Sequence, residues 1–220
     1  MEVNVLGDNH SVLGQFLAEI RDESIQKDPL RFRENLYRIG EIFGYEISKK
    51  LDFSVTEVTT PLGVAEVPVL ACQPVLATIL RAGLPMHNGL LRIFDRAENC
   101  FISAFRKYDE KGGFGIEFEY MASPSLDGKV VILSDPMLAT GKSMEVAYEA
   151  LFSKGSPSSV HLVSIIASQQ GVDYITGRIV AKNVMLWIGA VDNDMTPKMY
   201  IVPGLGDAGD LAYGEKIDSE

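Results

Sequence analysis

Val130 to Met144 reads VVILSDPMLATGKSM. An apolar run of strand character ends at Asp135, a short loop spans Pro136 to Thr140, and Gly141 leads into a helix beginning near Ser143. Thr140 and Ser143 offer hydroxyls, Gly141 lets the backbone approach a ligand, and amides at a helix N-terminus favour an anion. Asp135 cannot bind a phosphate, because like charges repel. A carboxylate there would accept hydrogen bonds from hydroxyls. An acid for hydroxyls beside a nest for a phosphate dianion describes a ribose 5-phosphate. The P-loop pattern G-x-x-x-x-G-K-[ST] does not fit, because its opening glycine would stand at Pro136, which lacks the N–H and the φ freedom that loop requires.

Outward from this stretch the rhythm repeats. Short apolar runs stand at 75–80, 100–105, 160–167 and 184–190, and helical patterns fall at about 85–94, 143–154 and 171–180. Continuous apolar strands alternating with helices imply an α/β chain with a parallel sheet covered on both faces. Ligands of such sheets bind beyond the carboxyl ends of the strands, so chemistry is expected just after residues 80, 105, 134 and 190.

Upstream, Leu13, Phe16, Leu17 and Ile20 mark one helix. Asp28 and Pro29 open a second, whose stripe of Phe32, Leu36, Ile39, Phe43, Ile47 and Leu51 reads as core. Ser54 to Val69 alternates around Pro-Leu-Gly as a β-hairpin. Between Phe105 and Val130, Gly112-Gly113 suggests a turn, with Ile116, Phe118 and Tyr120 alternating against Glu117 and Glu119. This predicts a β-arm whose apolar face rests either on its own domain or on a second subunit.

The chain has 220 residues, enough for one substantial domain, and its net charge of −10 argues against nonspecific nucleic-acid binding. Positive charge for an anionic substrate must then be local, from arginines, backbone amides or a cation. Met1 to His10 shows no signal-peptide pattern, and no run reaches membrane-helix length, so a cytoplasmic location without a membrane partner is expected. Cys72 and Cys100 read as buried, reduced thiols, and the three scattered histidines give no zinc pattern.

DPMLATGKS (135–143) resembles the phosphoribosyl-diphosphate (PRPP) loop of the type I phosphoribosyltransferases, and its Asp-Pro-Met-Leu-Ala-Thr-Gly form resembles the uracil phosphoribosyltransferase family. ILRAGLPMHNG (79–89) is similar to that family's pyrophosphate loop, AFRKYDE (104–110) to its second arginine segment, and YIVPGLGDAGDLAYG (200–214) to its uracil-binding segment. VTTPLGVAE (58–66) also fits, and the likeness runs from about residue 5 to the end. Two departures stand out. Lys142 replaces the family's usual Gly, and Pro85-Met86-His87-Asn88-Gly89 replaces a Gly-Met-x-Asp-Gly pattern, exchanging a carboxylate for an amide.

The resemblance implies a Rossmann-like sheet of the type I phosphoribosyltransferase fold in one domain. Its core would span about 70–195, its hood about 1–69 and 196–220, and its β-arm about 106–128. It implies transfer of the phosphoribosyl group of PRPP to uracil, giving UMP and pyrophosphate, with Mg²⁺ carried mainly by PRPP and no firmly assigned protein ligand. PRPP would be held by Arg81, Arg106, Asp135, Pro136, Met137, Leu138, Ala139, Thr140, Gly141, Lys142, Ser143 and Asp207. Uracil would lie against Ile201, Gly206, Asp207 and Ala208. Arg81, Asp135 and Asp207 carry the catalytic expectation, with Asp207 the candidate base and Tyr108, Met137 and Leu138 a candidate cover. A homodimer or higher homo-oligomer is expected. Another nucleobase as acceptor, or a regulatory protein binding PRPP or UMP on the same fold, are the alternatives.

Overall fold

The computed structural model describes residues 1–108 and 114–216. In chain order the elements are β1 (Glu2–Val5), α1 (Leu13–Arg21), α2 (Pro29–Ser48), β2 (Phe53–Thr60), β3 (Gly63–Leu70), β4 (Val75–Leu80), α3 (Leu84–Ile93), β5 (Glu98–Tyr108) and β6 (Phe114–Ala122). There follow β7 (Val130–Ser134), β8 (Met137–Leu138), α4 (Lys142–Leu151), β9 (Ser159–Ser168), α5 (Gln169–Arg178), β10 (Val184–Asp192), β11 (Asp194–Met195), β12 (Ile201–Val202) and α6 (Ala208–Tyr213).

The main sheet runs β1-β10-β9-β7-β4-β5-β6, with β8 added on β9. Every pairing in it is parallel except β5 with β6. Alternate residues of the central strands point to opposite faces, which the two cores make visible. Leu76, Ile132 and Val163 join the helices α1, α2 and α3 on one side. Val75, Ala77, Val131 and Leu133 join α4 and α5 on the other. This two-sided burial is why the strands read as unbroken apolar runs.

Helix α2 begins as its sequence dictates. The Asp28 carboxylate accepts the N–H groups of Leu30 at 2.9 Å and Arg31 at 3.1 Å, and Pro29 occupies the first turn. Phe32, Leu36, Ile39, Phe43 and Ile47 are all buried. The helix stops at Ser48, so Leu51 reaches the core from the turn beyond it, partly buried.

Three expectations are corrected. β1 pairs with β10, so the first residues belong to the central sheet and not to a hood. Four residues are too short to show a period, and their partner lies far along the chain. Cys100 is buried, but Cys72 is exposed, because it sits in the connection between the hairpin and β4, outside the core. The β-arm is shorter than expected. β5 pairs with β4 only as far as Ser103, and from Ala104 to Tyr108 it pairs with β6 alone. Residues 123–128 return to the body, where Leu126 is fully buried and its N–H meets the Lys154 carbonyl at 2.9 Å. The Gly112-Gly113 turn and the side chains of Arg106, Lys107 and Tyr108 lie outside the described part.

Candidate active site

Strand β7 ends in the middle of the sheet, and the chain turns at once. The Asp135 N–H stays on the ladder, donating to Val163 O at 3.0 Å, and one carboxylate oxygen accepts the Met137 N–H at 3.3 Å. This turn is the kind an aspartate favours. The Pro136 carbonyl accepts the N–H groups of Ile165 and Ile166, and Met137–Leu138 pair with Ile166–Ala167. Far from floating, the loop is a short strand continued along β9. Leu138 is 1% exposed and packs in the core, so it cannot serve as the cover expected of it.

The loop then crosses to α4. Ser168 donates to Ala139 O at 2.6 Å and accepts the Gly171 N–H at 2.8 Å, tying the loop to the start of α5. Gly141 has φ +81°, and a Cβ there would come within 2.8 Å of the Tyr174 ring. Only glycine meets both demands. Among the described residues no side chain caps α4 at Gly141; the Lys142 N–H reaches Thr140 Oγ1 at 3.4 Å, and the end of a helix whose first turn lacks a cap favours an anion. Glu145, one turn on, accepts from the Tyr174 hydroxyl at 2.5 Å and from Arg178 at 2.8 Å. Burial pushes the Glu145 carboxyl up, but the tyrosine hydroxyl and the guanidinium outweigh it and hold it below the usual range.

Opposite stands the segment after β11. Ile201 is buried in β12, a cis Val202–Pro203 bond follows, and Gly204 and Gly206 both have positive φ. Asp207 caps α6, its Oδ1 accepting from Gly209 at 2.9 Å and Asp210 at 3.0 Å. Thus one oxygen of this expected catalytic carboxylate is engaged in capping. Asp135, Met137, Leu138, Ala139, Thr140, Gly141 and Ser143 line a single cleft together with Ile201, Gly206, Asp207 and Ala208. Sequence positions far apart therefore share one cavity.

Arg81 follows β4 after a cis Leu80–Arg81 peptide. Its Nη2 donates to Asp210 Oδ1 at 2.9 Å and Gly214 O at 3.2 Å, in and just after α6. Arg81, Pro136 and Lys142 are not part of the cleft lining, whereas Ala82, Met144, Met199, Tyr200 and Gly209 are. These five were not singled out as site residues. All five lie in or beside segments that were, and Met144, next to Ser143, is a core-facing helix position that periodicity assigns to packing. Asp210 was not singled out either; it lies within the 200–214 segment, three residues after Asp207.

A family model described as uracil phosphoribosyltransferase matches residues 7–215. The uracil phosphoribosyltransferase of Porphyromonas gingivalis is 58% identical over 217 residues, covering 99% of this chain and 100% of that one. That of Methanothermobacter thermautotrophicus is 38% identical over 209 residues, covering 94% of each. The solved structure of the AQ2163 protein from Aquifex aeolicus superposes with a TM-score of 0.84 at 31% identity, covering 96% of this chain and 98% of that one. The adenine phosphoribosyl transferase of Trypanosoma brucei, at 13% identity and TM-score 0.52, covers 86% of this chain and 82% of its own, and shares the fold.

Proposed function

The chain belongs to the uracil phosphoribosyltransferase family, and from that premise we propose how its cleft divides the labour of the reaction. The enzyme transfers the phosphoribosyl group of PRPP to uracil, forming UMP and pyrophosphate in pyrimidine salvage. Uracil N1 bonds to the anomeric carbon, the bond from that carbon to the diphosphate oxygen breaks, and the N1 proton is lost. Positive charge develops on the ribose and negative charge on the leaving group.

In our reading the turn Thr140–Ser143 and the first amides of α4 hold the 5-phosphate, and Asp135 accepts from the ribose hydroxyls. Met137 and Ala139 shape the loop between them, while the sheet-bonded Pro136 and buried Leu138 act through the backbone. Lys142 adds positive charge beside the phosphate. Arg81 grips the diphosphate. One amino group is used by Asp210 and Gly214, but a guanidinium has five donors and can hold both. Arg106, at the end of β5, is the second candidate for the diphosphate. Uracil lies against Ile201, Gly206, Asp207 and Ala208, where rigid backbone groups read its edge, and Asp207 is the candidate acceptor for the N1 proton.

Mg²⁺ fits this donor set. Asp135 and Asp207 line the same cleft, and this cation takes one or two carboxylates plus phosphate oxygens. When bound it would supply neutralising charge to the diphosphate. One catalytic domain working as a homo-oligomer completes the reading. The hairpin β2–β3 is a separate two-stranded sheet whose Val55, Leu62 and Val64 are strongly exposed. Such a ribbon is marginal alone, and a second copy of the chain would cover it. A cytoplasmic setting belongs to the same proposal, since so highly charged a sugar does not cross membranes unaided; among the described residues no helix is long and apolar enough to span one.

The meeting of the 135–143 loop and the 201–208 segment in one cleft carries the reading. UMP formation from purified protein, PRPP, uracil and Mg²⁺ tests it, with hypoxanthine and cytosine as competing acceptors. Uracil should be used and the other two refused.

A further inference from the structure

Backbone groups discriminate bases only if the backbone is held still. The 201–208 segment is short of regular structure, yet its middle is gripped by side chains from far away in the chain. Arg21, the last residue of α1, donates from Nη1 to Asp192 Oδ2 at 2.8 Å and from Nη2 to Asp192 Oδ1 at 2.9 Å. The same Nη1 donates to the Gly204 carbonyl at 3.0 Å. Asp192, the last residue of β10, accepts the Gly204 N–H at 2.9 Å. Both polar groups of Gly204 are therefore fixed by one ion pair.

This pair is no loose surface contact. The Arg21 side chain is 23% exposed and that of Asp192 only 8%. Gly204 sits at φ +55°, where a Cβ would come within 2.9 Å of the Ile201 carbonyl carbon. Next to it, the Gln26 amide, oriented to satisfy its neighbours, donates to the Leu205 carbonyl at 2.7 Å. Leu205 itself is buried in the core. The clamp thus joins the end of α1, the end of β10 and the bend between Ile201 and Gly206.

We infer that Arg21 and Asp192 are positioning residues for base recognition: their ion pair sets the backbone register of the 201–208 segment and with it the preference for uracil. Neither residue lines the cleft; they act through Gly204. The inference rests on the assignment of that segment to the base. Uracil and cytosine differ in one ring edge, where an acceptor and a donor change places. A displacement of the reading amides by a fraction of an ångström weakens one pattern without penalising the other, so loosening the clamp costs discrimination before it costs phosphoribosyl binding.

The test is steady-state kinetics on Arg21→Gln, Asp192→Asn and Arg21→Lys, with uracil and PRPP varied in turn and cytosine as the competitor. Melting temperature and calorimetric PRPP binding accompany each variant. Ala208→Val, in the cleft wall itself, reports on the base site independently. We expect Arg21→Gln and Asp192→Asn to raise the uracil KM about ten-fold or more while the PRPP KM and Kd stay within roughly two-fold of wild type. Uracil-over-cytosine preference should fall in both, and Arg21→Lys, which keeps the charge beside Asp192, should restore part of it. Unchanged uracil KM and preference in the clamp variants, with Ala208→Val still raising the uracil KM, would overturn the clamp and leave the base site standing. An unchanged uracil KM in Ala208→Val as well would overturn both. A parallel rise of both KM values with a lowered melting temperature would reduce the pair to a structural brace and overturn the inference too.

Discussion

Asp135 and Arg81 carry opposite charges at the ends of neighbouring strands, and each fails in its own way when neutralised. Asp135→Asn keeps the shape and an oxygen to accept the Met137 N–H, so the loop should survive. In the proposed reading it loses the charge set against a ribose that becomes cationic, and removal of one such electrostatic group lowers turnover by about 10²–10³-fold. We expect kcat to fall by that order with the melting temperature unchanged; near-wild-type turnover would put the sugar elsewhere. Arg81→Ala removes a charged donor worth about 1.5–3 kcal/mol per bond. It should raise the PRPP KM at least ten-fold in initial-rate measurements, with the uracil KM little affected. Both residues were open to proposal from the sequence because their signals are local: a strand, its end, and the small residues that follow. Arg21 and Asp192 were not. Each looks like an ordinary charged residue closing its element, and the contact that gives it meaning spans 171 positions.

Loop 135–141 behaves as an element even though little of it is regular, because β9 and α5 determine its path. Ser168 is the joint. Its hydroxyl caps α5 and holds Ala139 O, and the side chain is fully buried. Ser168→Ala loses the cap, at about 1 kcal/mol, and leaves the Ala139 carbonyl short of a partner. A melting temperature lowered by a few degrees together with a several-fold higher PRPP KM is the expected pair of readings; a stability loss without the KM change would mean the loop does not depend on this joint. Gly141→Ala is more severe, since it meets a left-handed backbone and the Tyr174 ring at once. About 1–2 kcal/mol of backbone strain is expected before the clash is counted, with most PRPP affinity lost in a binding titration. Element boundaries were readable where burial is two-sided, as at Val75–Leu80 and Val130–Ser134, because nothing polar interrupts the pattern. They were unreadable at Met137–Leu138, where two residues form a strand only because β9 passes alongside.

Across the whole molecule the sheet must accommodate polar groups within its layers, and one of them makes stability depend on pH. His161 of β9 is 2% exposed. Its Nδ1 accepts the Trp187 indole N–H at 3.0 Å, and since that group can only donate, the ring is neutral with its proton on Nε2. Burial pushes the imidazole down to about 4; Glu2 pulls it up and Lys50 pushes it down further, both more weakly than burial. His87, a buried residue of α3, is lowered as well, mainly by burial and against its bond to Asn99. The unfolded chain, with histidines near 6.5, takes up protons first as pH falls. Stability is therefore complete above about 6.5 and declines toward 4, by roughly 3 kcal/mol for His161 at most. Carboxylates act lower: Glu19, held down to about 2 by bonds from Arg31 and then Asn35, gives up its contribution as pH falls from its unfolded value near 4.5 toward 2. The two windows scarcely overlap, so urea unfolding between pH 7 and 4.5 reads the histidines. His161→Gln keeps an acceptor for Trp187 and cannot titrate, so it should remove much of the slope of unfolding free energy against pH in that range. An unchanged slope would mean that His161 already titrates in the fold as it does in water, and that the tryptophan bond does not keep it neutral.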